Sequence, residues 1–75
     1  MTTLFDFLAR LRVAKIHYSL AQAREDAIMV QVAVPGQRWE VEFFQDGSME
    51  MEVFQSDGKI LEVESLDALI SKFSN

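Results

Sequence analysis

Three glycine-bearing turns, Pro35-Gly36, Gln45-Asp46-Gly47 and Ser56-Asp57-Gly58, cut the middle of this 75-residue chain into segments that alternate apolar and polar residues. Alternation with period two marks a strand buried on one face only. Successive side chains of a strand point to opposite faces, so loop length decides which residues of neighbouring strands lie together. The stretch "WEVEFFQDGSMEMEVF", residues 39–54, is a sharp case. A two-residue Asp46-Gly47 loop would set Phe43 opposite Glu50 and Val41 opposite Glu52, mixing charge and apolar surface on both faces. A three-residue loop, a type I turn closed by Gly47 in the left-handed conformation, pairs Phe43 with Met49, Val41 with Met51 and Trp39 with Val53. That register leaves one apolar and one acidic face, and it is the one predicted.

The neighbouring turns agree. A two-residue loop at Pro35-Gly36 sets Val32 opposite Trp39 and Val30 opposite Val41, and a three-residue loop at "SDG" sets Val53 opposite Leu61. Upstream, "AIMVQVAV" places Ile28, Val30, Val32 and Val34 on one side. Beyond the polar break "AREDA", the segment "IHYSLAQ" (16–22) alternates Ile16, Tyr18 and Leu20 against His17, Ser19 and Ala21. Every hairpin thus selects the same inner face, which predicts an antiparallel meander of four to five strands. The segment "KILEV" (59–63) is either the fifth strand or an extended lead into the last helix.

Two helical segments bracket the strands. In "TTLFDFLARLRVAK", Leu4, Leu8 and Leu11 recur at helical spacing with Phe7 and Ala14 beside them; Thr3 is the expected N-cap. Asp6 in the first turn and Arg10, Arg12 and Lys15 near the other end complement the helix dipole, which explains the basic cluster without a phosphate ligand. At the C-terminus Ser65 caps "LDALISKF", whose Leu66, Leu69, Ile70 and Phe73 form one stripe. Each apolar stripe has only the apolar sheet face to cover. The expected fold is α+β: one domain over residues 1–75, with both helices on one side of the meander. A chain this short is near the lower limit for a core without staples. Its 49% hydrophobic content is enough to build one.

The outer face follows by subtraction. Glu42 lies opposite Glu50 and Glu40 opposite Glu52, with Met29, Gln31, His17 and Ser19 continuing across the neighbouring strands. Phe44, Phe54 and Arg38 share this face, Arg38 lying against Phe54. Like charges set directly opposite cost up to ~1 kcal/mol per pair. On a bland reading, this is a solvated face whose glutamates blunt aggregation. On a functional one, Glu40, Glu42, Glu50 and Glu52 form an anionic docking surface around the apolar anchors Phe44, Phe54 and Met29, with Arg38 beside them.

Charge distribution supports a basic partner. Residues 1–39 carry five basic and three acidic side chains, a balance of +2, whereas residues 40–75 carry two basic and nine acidic, a balance of -7. Phosphate recognition needs positive charge, so neither nucleic acid nor an anionic membrane is an expected partner. The opening "MTTLFDFLAR" lacks a basic start followed by a long apolar run, so a cytoplasmic protein is expected.

Little in the sequence offers chemistry. There is no cysteine, and His17 is the sole histidine, so zinc sites and Cys-His or Ser-His-Asp mechanisms lack parts. Glutamates diverging from a flat strand pair do not wrap a hard cation. Each glycine belongs to a hairpin, leaving no phosphate-binding loop. Paired carboxylates without a cleft do not make a glycosidase. No enzyme, metal or cofactor is expected.

The stretch "EDAIMVQVAVPGQRWEVEFFQDGSMEMEVFQSDGKI", residues 25–60, resembles a group of small bacterial proteins sharing an "AVPG-RWE-EFF-DG" core. Some of these have immunity-type roles beside secreted toxins. The resemblance implies fold kinship and a non-catalytic protein-binding role, with a basic toxin as the partner of the acidic face. The alternative is a small structural or regulatory module that self-associates, its acidic face serving solubility. Open strand edges offer a route to a homodimer.

Overall fold

The computed structural model of the chain describes residues 3–61 and 65–73, without the side chain of Phe73. The elements run α1 (Leu4–Val13), β1 (Tyr18–Arg24), β2 (Ala27–Val34), β3 (Gln37–Phe44), β4 (Met49–Gln55), β5 (Ile60–Leu61) and α2 (Leu66–Phe73). The strands form one five-stranded sheet in sequential order, each pair antiparallel. This is the α+β meander the turns predict.

Every register derived from loop length is present. Phe43 lies opposite Met49, Val41 opposite Met51, and Trp39 opposite Val53. Val32 faces Trp39, Val30 faces Val41, and Val53 faces Leu61. The β3–β4 loop closes through Gly47 N–H to the Phe44 carbonyl at 3.0 Å, with Gly47 at φ +91°. Such a φ is open to glycine and strained for other residues, which is why a DG pair sits here. Asp46 tightens the turn: its Oδ1 accepts from the Ser48 N–H at 2.8 Å and the Ser48 hydroxyl at 2.6 Å. These bonds, the hydroxyl's first, hold its carboxyl below the usual range.

The core lies between the inner sheet face and the helices. Phe7, Leu8 and Leu11 from α1 with its C-cap Ala14, Leu66, Leu69 and Ile70 from α2, and Val30, Val32, Trp39, Val41, Phe43 and Val53 from the sheet belong to one buried cluster. Phe7 and Phe43 meet with ring centroids 5.6 Å apart. The Trp39 indole N–H, at the centre of this apolar layer, donates to Gln37 Oε1 at 3.0 Å. Arg10 pairs with Asp67, tying the two helices together.

Helix boundaries follow from capping. Thr3 and Asp6 form a reciprocal capping box at the start of α1. At its end Ile16 N–H donates to the Leu11 carbonyl and Lys15 N–H to the Arg12 carbonyl, a Schellman arrangement with Lys15 at φ +61°. Ser65 caps α2 through the Ala68 N–H at 3.1 Å.

Four expectations need correction or trimming. The first strand is Tyr18–Arg24, not 16–22: the Schellman turn takes Ile16 into the core, and exposed His17 precedes the strand. Leu20 is on the inner face opposite Val30 yet 52% exposed, because the short helices leave this edge uncovered. Within "KILEV" the structure describes a strand only at Ile60–Leu61; residues 62–64 lie outside the described residues. Leu66, Leu69 and Ile70 form the expected stripe of α2, while the fourth member, the Phe73 side chain, also lies outside the described residues.

Candidate functional site

Register brings the four glutamates together. Glu42 stands opposite Glu50 and Glu40 opposite Glu52 across the β3–β4 ladder. Met29 lies opposite Glu42, Gln31 opposite Glu40, and Ser19 opposite Gln31, so the polar row continues to the β1 edge.

The carboxylates are not equivalent. Glu42, expected on a solvated row, has a side chain only 9% exposed, whereas that of Glu40 is 28% exposed. Glu50 and Glu52 are exposed, and among the described residues neither forms an ion pair. Cations explain the division. Arg24 Nε lies 3.8 Å from Glu42 Oε2, and its guanidinium sits 5.5 Å from the centroid of the Phe44 ring. Arg38 repeats the arrangement: Nε is 3.7 Å from Glu40 Oε2 and the guanidinium 4.8 Å from the Phe54 ring centroid. Each unit places a guanidinium over an aromatic face with a carboxylate alongside. Phe44 and Phe54 are accordingly half-buried, and so is Met29 opposite Glu42, in place of the bare anchors expected.

Arg38 on Phe54 was expected from register; Arg24 was not. A β-bulge explains its position. The β1–β2 register runs from Ala21↔Met29 to Arg24↔Ala27 with one extra residue in β1. Strict alternation from Ala21 would aim residue 24 at the inner face; the extra residue turns it to the outer face, beside Ala27 and Phe44. A signal for this lies in the sequence. A two-residue Glu25-Asp26 loop without a bulge would set Leu20 opposite Gln31, against the apolar pattern. Only an inserted residue reconciles the loop with the faces.

The outer face is therefore graded. Arg24 and Arg38 neutralise β3's carboxylates locally, while Glu50 and Glu52 of β4 keep their charge toward solvent. Guanidinium-covered rings border them. An open hollow of about 450 Å³ lies at the sheet end near the start of α1, floored by Leu4, Ile28 and Phe43 with Glu25 and Asp26 at its rim. Its lining holds the carboxylates of Glu25 and Asp26 and neither a histidine nor a basic side chain. Among the described residues no group of three or more acidic or histidine side chains is placed to hold a metal ion, and no helix is long and apolar enough to cross a membrane. Compared with protein-family models, with curated proteins and with solved structures, the chain matches none of them.

Proposed function

We propose that this protein is a non-catalytic binding domain that docks a basic partner protein through the outer face of its sheet. One observation carries the reading: Glu50 and Glu52 stand exposed without an internal cation, while their cross-strand neighbours Glu42 and Glu40 are each matched with an arginine. Unmatched carboxylates also serve solubility, so the reading draws on their place beside the two arginine-covered aromatic rings. Steering by these charges raises the association rate and weakens with salt, while Phe44 and Phe54 govern dissociation. The likeness of the "AVPG-RWE-EFF-DG" core to small bacterial proteins with immunity-type roles adds a partner class, a basic toxin met in the cytoplasm.

The alternative, a self-associating structural or regulatory module with a merely soluble acidic face, draws on the internal pairing of Glu40 and Glu42. Affinity capture from source cells, with wild type and a Glu50→Gln/Glu52→Gln variant, separates the two. Docking predicts that the variant loses the captured partner, and that the purified partner binds wild type with a rate falling steeply with salt. Equal capture with equal salt sensitivity would leave the acidic face as a solvated surface.

A further inference from the structure

Strand β1 is an edge of the sheet, and among the described residues no backbone hydrogen bond reaches its outward side. Which groups face outward follows from the two-residue loop at Pro35-Gly36. The flanking pair Val34↔Gln37 exchanges both its hydrogen bonds, and bonded and non-bonded pairs alternate along the ladder. Even-numbered residues of β2 therefore bond to β3 and odd-numbered ones to β1. Ser19↔Gln31 and Ala21↔Met29 are the bonded pairs of the β1–β2 ladder, which leaves the N–H and C=O groups of Tyr18, Leu20 and Gln22 pointing away from the sheet.

This edge lacks the usual protection. Residues 18–23 contain no charge, no proline and no glycine. Arg24, the cation nearest in sequence, is turned by the bulge onto Phe44 and Glu42 and guards nothing at the edge. Leu20 presents its side chain half in water beside these open backbone groups.

We propose that β1 pairs antiparallel with β1 of a second copy about a two-fold axis at Leu20, joining two five-stranded sheets into one. Outward-facing groups meet only when even-numbered residues face even-numbered ones. The register centred on Leu20 does this, setting Leu20 against Leu20, Tyr18 against Gln22 and Ser19 against Ala21. No like charges face each other. That self-complementarity argues for a second copy over an unrelated strand, and an isologous contact closes at two. The two Leu20 side chains cover one another on the inner face, which removes the one large apolar side chain that the helices leave open on β1.

A two-fold normal to the sheet puts both acidic faces on the same side. Seven strand spacings separate the two β4 strands, about 34 Å at ~4.8 Å each. A basic partner with two sites would then be held bivalently; this consequence rests on the docking reading, whereas the dimer does not.

The test is sedimentation of the full chain from micromolar to millimolar concentration, with amide exchange read residue by residue. The expected result is a species of twice 8.6 kDa in which the Tyr18, Leu20 and Gln22 amides exchange slowly, losing that protection on dilution. Leu20→Lys should give a monomer with unchanged circular dichroism, and mixing it with Leu20→Glu should restore the dimer mass. A wild type that stays near 8.6 kDa throughout overturns the proposal. A dimer that survives Leu20→Lys, or that is lost equally on Ile60→Lys at the opposite edge, also overturns it.

Discussion

The two faces of β3 follow different rules. Its inner residues, Trp39, Val41 and Phe43, are buried against helices contributed from both ends of the chain. On its outer side Glu42 and Phe44 are covered by Arg24 reaching from β1, and Glu40 is flanked by Arg38 of the same strand, which lies over Phe54 of β4. Inside, burial of apolar area does the work, and the indole N–H of Trp39 is met by Gln37. Outside, each covered group depends on one named cation. The inner face should therefore respond to volume and the outer face to charge.

The largest expected effect is on the inner face. Trp39→Ala should cost ~3–5 kcal/mol, enough to unfold most of a domain this small at ambient temperature. Urea denaturation checks it, and a loss below ~1 kcal/mol would mean that the helices do not pack as described. On the outer face, Arg24→Ala strands a covered carboxylate. With Arg24 itself 59% exposed, screening holds the loss to ~1–2 kcal/mol. Adding Glu42→Gln should recover much of it, a coupling that a double-mutant cycle reads directly. Arg38→Ala, beside the more open Glu40, should cost less than Arg24→Ala; equal losses would erase the distinction between the two units.

Smaller effects sharpen the contrast. Glu52→Lys turns the like-charge pair with Glu40 into an opposite one, and should stabilise the fold by ~0.2–1 kcal/mol. The same change should abolish docking, so stability and binding move in opposite directions. The smallest concerns acid. Asp46 has its folded pKa lowered by the Ser48 hydrogen bonds, so its contribution is present above the unfolded carboxylate value and is lost as pH falls through the lowered one. Asp46→Asn should flatten that part of the acid unfolding curve and leave the pH dependence of stability near neutrality unchanged.

The meander, its registers and the grouping of four glutamates were legible because each depends on a local count. Period-two alternation fixes faces, and a three-residue or two-residue loop fixes which residues meet. Arg38 on Phe54 was legible for the same reason. Arg24 was not, because a bulge breaks the count between Ala21 and Arg24; only the clash of Leu20 with Gln31 hints at it.

By itself, then, the sequence determined the order of strands, the inner and outer sets and the caps at Thr3 and Ser65. These are consequences of chain stereochemistry and near-neighbour hydrogen bonds. Only the tertiary structure decided that Glu42 is covered, that Glu50 and Glu52 remain open, that Lys15 takes a left-handed turn and that Leu20 stays in water. Burial is a property of what lies across space, so the same alternating glutamates become a cation-matched residue on β3 and a bare charge on β4. One inserted residue in β1, which turns Arg24 outward, and the place of Arg38 on β3 set that difference.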